Sequence, residues 1–186
     1  MRKNFGAKPL TYPQPAYIIG SYDENGQPDA MMAAWGGISA RDEISCCISR
    51  LHKTTENILK SREFTVSIAT EAQLKACDFV GIVSANKQED KFSKSGFHQQ
   101  KAEFVNAPLI EELPMCLECK LISYDEEREI LRAKIVNVSA DESILSDGKI
   151  DPEKLRPIVF DPVNMLYWGL GEKLGQAFSD GKELLG

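Results

Sequence analysis

Several features of other protein classes are missing from this 186-residue chain. No stretch approaches the roughly 18 consecutive apolar residues of a membrane helix. The basic start at Met1–Gly6 is followed by prolines instead of the apolar segment of about 7–15 residues that a secretory signal needs. Basic residues are also in the minority, because 22 Lys and Arg face 28 Asp and Glu, for a net charge of −6. Non-specific nucleic-acid binding depends on a positive field. We therefore expect a cytoplasmic protein that binds neither membranes nor nucleic acids.

The motifs of hydrolytic and metal-dependent catalysis are missing too. The sequence contains no P-loop and no H-E-x-x-H, and His52 and His98 lack the context of a catalytic triad. Five cysteines cannot all pair with one another, and a chain of this length does not need a disulfide framework. Cys116 and Cys119 spell C-x-x-C, but residues three apart in a strand point to opposite faces. We therefore predict structural cysteines, no metal site and no catalytic side chain.

What is present is the composition of a folded domain, with 42% hydrophobic and 27% charged residues. A chain of this length can bury about 70% of the surface that its unfolded form exposes. We expect one domain over residues 1–186, with a C-terminal tail from about residue 169. Strands are predicted at 16–22, 29–35, 43–49, 64–70, 115–124, 129–139 and 164–168, and helices at 55–62 and 71–83.

Two of these strand pairs are predicted to form hairpins, one around Asn25-Gly26 and one around residues 125–128. Gly36-Gly37 is expected to form a bend or a close backbone approach, and the polar segment 84–97 a loop with irregular helix. Strands outnumber helices and no βαβ alternation is visible. The fold class predicted is mainly β, an antiparallel barrel or sandwich with peripheral helices.

The segment from Ser49 to Asn57, between a strand and a helix, is the first candidate for chemistry. The first turn of a helix offers unpaired N–H groups and a partial positive charge, which favour an anion. Arg50 and Lys53 add positive charge, and Ser49, Thr54 and Thr55 add hydroxyl donors, Thr54 or Thr55 being the predicted N-cap. This set suits a phosphate monoester, although a capped helix preceded by solvated basic residues would have the same sequence.

The segment Met31–Ser39 is the second candidate. Small residues beside Trp35 and two glycines let a backbone lie close to a flat ligand, whose edge backbone N–H and C=O groups could contact. The alternative is a core strand with one buried tryptophan.

Taken in order, these segments resemble the flavin reductase-like family, whose fold is an FMN-binding split β-barrel, and in particular its flavoredoxin-like branch. The resemblance covers nearly the whole chain. It is carried by M-M-A-A-W-G-G-I-S at 31–39, I-S-R at 48–50, H-K-T-T-E-N-I at 52–58, E-F-T-V-S-I at 63–68, D-K-F at 90–92, S-G-F at 95–97, A-P-L-I at 107–110, L-E-C-K at 117–120, Y-W-G-L-G-E at 167–172 and A-F-S-D-G-K at 177–182. Residues 84–89 depart from the glycine- and arginine-containing form associated with this branch.

The resemblance implies a cofactor, FMN, and the residues that hold it. Those implied for its phosphate are Ser49, Arg50, Lys53, Thr54 and Thr55, and those for its isoalloxazine ring are Met31, Met32, Ala33, Ala34 and Trp35. Lys91 would offset the negative charge of reduced flavin near N1, and Phe92 and Tyr167 complete the implied set. A homodimer is also implied, with the tail around Tyr167 covering part of the partner's site.

The function implied is that of an FMN-binding oxidoreductase, passing electrons between NADH, NADPH or a redox protein and the bound flavin. Because the cofactor does the redox chemistry, no side-chain nucleophile is required. Two alternatives stay open, a non-enzymatic FMN electron carrier and a flavin-binding module. The sequence does not distinguish the electron donor or the acceptor.

Overall fold

The computed structural model describes residues 1–185. Its strands are β1 (Gln14–Pro15), β2 (Tyr17–Tyr22), β3 (Pro28–Ala33), β4 (Gly36–Ala40), β5 (Glu43–Cys47), β6 (Glu63–Ile68), β7 (Gln99–Lys101), β8 (Pro108–Ile110), β9 (Met115–Asp125), β10 (Ile130–Ala140), β11 (Leu145–Ser146), β12 (Lys149–Ile150), β13 (Ile158–Asp161) and β14 (Leu166–Gly169). Its α-helices are α1 (Lys53–Ser61), α2 (Leu74–Ile82), α3 (Lys91–Lys94) and α4 (Pro152–Leu155), and 3₁₀ turns occupy Glu71–Gln73, Glu142–Ile144 and Asp180–Leu185.

Seven antiparallel strands form a curled half-barrel sheet in the order β3-β2-β6-β9-β10-β5-β4. A second sheet, β1-β13-β14, brings the first strand beside the last two. The mainly β split-barrel fold predicted from the sequence is therefore confirmed. Among residues 1–185, no helix combines the length and the apolar character that crossing a bilayer requires.

The apolar side chains form two main clusters on either side of β3. One fills the barrel around Ile44, Phe64 and Leu131, and the other lies between the sheet, α2 and α3 around Ile18 and Val80. Successive residues of a strand point to opposite faces, so Met31 joins the first cluster and Met32 packs against the second. Strand β3 thus separates the two clusters, and both of its faces are occupied.

Both predicted hairpins are present, as β2–β3 and β9–β10. The predicted bend at Gly36-Gly37 is instead the start of β4, which pairs with β5. A side chain at Gly36 would place its Cβ 2.7 Å from Cys46 Sγ and 2.8 Å from the Ser45 carbonyl oxygen. Glycine is therefore needed here for the close backbone approach that the sequence also indicated. The sequence reading missed β13, which pairs with the predicted last strand, β14.

The start of α1 also differs from expectation, because the residue at the N-cap position is His52. Thr54 and Thr55 lie inside the first turn, so the prediction that one of them is the N-cap is wrong. The helix ends at Arg62, whose left-handed backbone (φ 65°) lets its N–H bond the Ile58 carbonyl oxygen. Its buried face is mostly polar and consists of Thr54, Thr55, Asn57 and Ile58. A buried polar face needs partners, and these partners define the candidate site.

Candidate functional site

Three adjoining cavities follow β3, and we name each by its position. The strand groove, about 290 Å³, is lined by residues 31–35, 47–49, His52 and Glu129. The helix cavity, about 120 Å³, lies at the start of α1 and is lined by Met31, residues 52–54, residues 80–85 and Lys91. The tyrosine cavity, about 190 Å³, lies on the other face of β3 and includes Met32, Ala34, Asp78 and Tyr167. The three cavities are neighbours, because each pair of them shares two lining residues.

The strand groove contains all five residues predicted to contact a flat ring, Met31 to Trp35. Trp35 is 48% exposed, so the alternative of a buried core tryptophan does not hold. Its carbonyl oxygen accepts a hydrogen bond from the Cys47 N–H at 2.7 Å, which fixes the backbone where β3 ends. The tryptophan side chain is therefore available at a rigidly held position on the rim of the groove.

The helix cavity contains the uncapped start of α1. His52 has an extended backbone (φ −76°, ψ 138°), and no side chain accepts from the N–H groups of the first turn. Free first-turn N–H groups and the helix dipole favour an anion. Lys53, His52 and Lys91 line the same small cavity. The helix cavity is therefore rich in positive charge and in hydrogen-bond donors.

Asp29, in β3, is the residue behind this cavity that the sequence reading missed. It is 4% exposed, it accepts a hydrogen bond from the Thr54 hydroxyl, and its Oδ1 lies 3.4 Å from Lys91 Nζ. Lys91 itself is only 3% exposed. Burial lowers the pKa of Lys91 below its usual value, and the Asp29 carboxylate partly opposes this. A carboxylate within a strand flanked by apolar residues was the only sequence signal for this role.

Ser49 and Arg50 lie on the opposite, exposed side of the segment. The Ser49 hydroxyl donates to Glu129 Oε1 at 2.7 Å, and the Arg50 N–H donates to the same oxygen at 3.1 Å. These two bonds lower the pKa of Glu129. The Arg50 guanidinium pairs with Glu126 at 2.7 Å. The structure thus gives these two predicted anion binders carboxylate partners from the β9–β10 hairpin.

Two further predicted residues lie away from the start of α1. The Tyr167 hydroxyl lines the tyrosine cavity and donates to Asp78 Oδ1 at 2.8 Å. Burial and the adjacent carboxylate raise the pKa of this tyrosine. Phe92 is buried in the second apolar cluster against Phe97, with 6.2 Å between ring centroids, and lines none of the three cavities. Phe92 therefore supports α3, which carries Lys91.

The segment 84–89, where the sequence departs from its branch, also reaches the site. Ser84 and Ala85 line the helix cavity, and the Asn86 side-chain amide donates to the Leu51 carbonyl oxygen at 3.2 Å. The loop therefore closes the cavity from the side opposite β3.

A larger cavity, about 690 Å³, lies elsewhere and shares no residue with these three. Its lining is acidic, with four Asp and Glu residues against Lys154 and Arg156, and Arg156 is already paired with Glu71. We therefore place the candidate site by its chemistry, along β3, rather than by volume.

Comparison with known proteins identifies the family of the chain. The flavin reductase like domain family matches residues 10–168. The structure resembles that of the flavoredoxin of Desulfovibrio vulgaris (Miyazaki F), with 38% identity, a TM-score of 0.92 and coverage of 97% of this chain and 100% of that one. The flavoredoxin from Methanosarcina acetivorans is 25% identical, with a TM-score of 0.89 and coverage of 99% and 100%.

A further sequence relative is an uncharacterized protein of Aquifex aeolicus (strain VF5), 26% identical over 137 residues. That match covers 72% of this chain and 65% of the Aquifex protein, so it spans less than two thirds of the relative's length. The family match and the flavoredoxin likeness together support a flavin as the ligand and a flavin-related redox function. The chain belongs to the flavin reductase-like family, in its flavoredoxin branch.

Proposed function

We propose that this protein binds FMN along β3, with the phosphate at the start of α1 and the ring in the strand groove, and that it is an FMN-dependent oxidoreductase. The observation that carries the proposal is the uncapped first turn of α1, which faces a cavity with Lys53 and Lys91 beside the strand groove. FMN differs from riboflavin by its phosphate, so a cationic cavity should bind FMN more tightly than riboflavin.

The residues present fit such a group. The Thr55 hydroxyl, on the buried face of this first turn, has no hydrogen-bond partner. Buried polar atoms in folded proteins are nearly always hydrogen-bonded, so an unpartnered donor beside an uncapped helix favours a bound acceptor such as a phosphate. The exposed Trp35 of the strand groove offers an aromatic face to a flat ring.

Roles within the site follow from position. Lys53 and Thr54 contact the phosphate from α1, and Lys91 does so from α3, because all three line the helix cavity. This position favours a phosphate role for Lys91 over the role near flavin N1 that the family resemblance implied. Ser49 and Arg50 support the phosphate from the rim, and residues 31–35 hold the ring. Bound FMN supplies hydride and electron transfer, while these residues bind and orient it.

A ligand comparison tests the cofactor assignment. The double change Arg50→Ala and Lys53→Ala should weaken FMN binding much more than riboflavin binding, because only FMN carries the phosphate. A charge-assisted contact is worth about 1.5–3 kcal/mol, so titration of flavin fluorescence will resolve the loss. An equal loss for both flavins would contradict the phosphate assignment.

The electron donor is proposed to be NADH or NADPH, with a redox protein as the other candidate. Anaerobic addition of each nucleotide to FMN-loaded protein should bleach the flavin absorption. Failure with both nucleotides, together with rapid reduction by a low-potential redox protein, would instead support a non-enzymatic electron carrier. A flavin that neither donor reduces would leave a flavin-binding module.

We also propose one domain over residues 1–186 that acts as a homodimer in the cytoplasm. The tail after β14 exposes large apolar side chains, with Leu174 99% and Phe178 98% exposed, and several such side chains on one segment favour a protein partner. Five free cysteines suit a reducing compartment. Sedimentation at twice the mass of one chain is the expected result, and a monomer at all concentrations would contradict the dimer.

A further inference from the structure

Asp29 is a buried carboxylate that joins two separate helices at the base of the helix cavity. Its side chain accepts a hydrogen bond from Thr54 of α1 and lies 3.4 Å from the Lys91 amine of α3. Burying a charge is costly unless it is paired and hydrogen-bonded. A carboxylate in this place is therefore retained at a cost in stability, which asks for a role beyond packing.

Asp29 and Lys91 form an ion pair without a hydrogen bond between them. Oδ1 of Asp29 has no hydrogen-bond partner, although the amine lies within ion-pair distance of it. The amine is 3% exposed and lines the helix cavity together with His52 and Lys53. The Lys91 nitrogen thus lies between the carboxylate behind it and the cavity in front of it, with N–H groups that a ligand can use.

We propose that Asp29 is a positioning residue that holds the Lys91 ammonium and the first turn of α1 at the helix cavity, so that both contact the phosphate of FMN. The inference rests on the proposed function, because it takes the phosphate to bind at this cavity. Asp29 acts through Lys91 and Thr54 and does not itself touch the ligand, since a carboxylate beside a phosphate would repel it.

The charge of Asp29 matters because no other residue lining this cavity brings a negative charge to Lys91. His52 and Lys53 at the start of α1 carry none, and the lining residues 80–85 have no titratable side chain. Burial lowers the pKa of Lys91, and Asp29 is the group that raises it. Without the carboxylate the pKa would fall further, and buried lysines can titrate several pH units below their usual value. Raising the pH should therefore deprotonate Lys91 more readily when Asp29 carries no charge.

The test uses Asp29→Asn, which keeps the size and one acceptor but removes the charge. Dissociation constants for FMN and riboflavin would be measured between pH 7 and 9.5, where the phosphate of FMN stays dianionic. In the native protein the preference for FMN should change little. In the variant it should fall about tenfold as the pH rises, the worth of one charge-assisted contact. Glu126→Gln, a charge removal on the exposed Arg50 side, is the matched control and should keep the native profile.

A second measurement does not depend on flavin. NMR titration of isotope-labelled lysines, with the Lys91 signal assigned by its loss in Lys91→Met, should show a lower pKa in Asp29→Asn than in the native protein. An unchanged Lys91 pKa, or a variant that binds FMN with the native pH profile, would overturn the role of Asp29 alone. If the native protein bound no FMN, the proposed function would be contradicted as well.

If Asp29→Asn does not fold, Lys91→Met decides the question. Methionine fills the space of the alkyl chain without the charge, so the preference for FMN over riboflavin should drop about tenfold at every pH measured. An unchanged preference would overturn the inference, because there would be no Lys91 contact for Asp29 to position.

Discussion

The two halves of the segment from Ser49 to Thr55 differ more than their sequence suggests. Arg50 lies on the surface with its side chain 59% exposed and paired with Glu126. Lys53, three residues later, lines a small cavity beside two buried threonines and the buried Asp29–Lys91 pair. Charges in high dielectric attract weakly, whereas those in an enclosed site attract strongly. Within this one basic segment, Lys53 should therefore attract an anion strongly and Arg50 only weakly.

The largest effect is expected on the buried side. Lys53→Ala combined with Lys91→Met should weaken FMN binding about a hundredfold or more, because two charge-assisted contacts of about 1.5–3 kcal/mol each are lost. Riboflavin binding should change by only a few-fold in the same fluorescence titration. Lys60→Ala, an exposed change on α1 where Lys60 pairs with Glu56 and Glu24, is the control and should be neutral. If the double variant bound FMN as tightly as the native protein does, the proposed difference between the buried and exposed sides of the segment would be wrong.

Arg50→Ala should have a smaller effect, about twofold to fivefold on FMN affinity, since exposed ion pairs contribute about 0–1 kcal/mol. The loss should shrink further in high salt, which screens exposed charges. Isothermal titration at two ionic strengths checks both statements. A salt-independent loss as large as that of Lys53→Ala would show that Arg50 closes over the phosphate and that the two halves are equal.

Glu129→Gln should tighten FMN binding by about twofold to threefold, by removing a negative charge from the strand groove.

The same change should alter how the stability of the protein depends on pH. The pKa of Glu129 is lowered by the Ser49 hydroxyl and the Arg50 N–H, so its stabilising contribution exists above the unfolded-state pKa and disappears as the pH falls through the folded-state pKa. Below about pH 4.3 the native protein should lose stability more steeply than the variant in urea titrations. Parallel curves would mean that these bonds contribute nothing to folding.

The smallest effect concerns the thiols. Cys47 is half-buried and lines the strand groove, whereas the other four cysteines are buried. Burial raises the pKa of Cys46 and Cys77 to about 12 and that of Cys116 to about 11, and the thiolate is the reactive form. Alkylation of the native protein should therefore modify Cys47 first, and FMN should slow the reaction. Peptide mass spectrometry identifies the site, and an unprotected Cys47 would place the ring away from the Ser49 side.

Much of the fold was predictable because local pattern decided it. The β9–β10 hairpin and helix α2 follow from alternation and helical spacing and are present as predicted. Strand β13 was missed because it is short and forms only through pairing with β1 and β14. The bend expected at Gly36 became a strand because neighbouring β5 supplies the hydrogen bonds, which no local signal contains.

The sequence by itself determined the family and six of the seven strands of the half-barrel sheet, because ordered short motifs and alternating strands are local features. Only the tertiary structure decided how the segment from Ser49 to Thr55 is divided. Asp29 reaches Thr54 across 25 residues of sequence, and Glu129 reaches Ser49 across 80. Burial and pairing set the strength of each charge, and both arise only when distant strands bring these carboxylates to the two sides of α1.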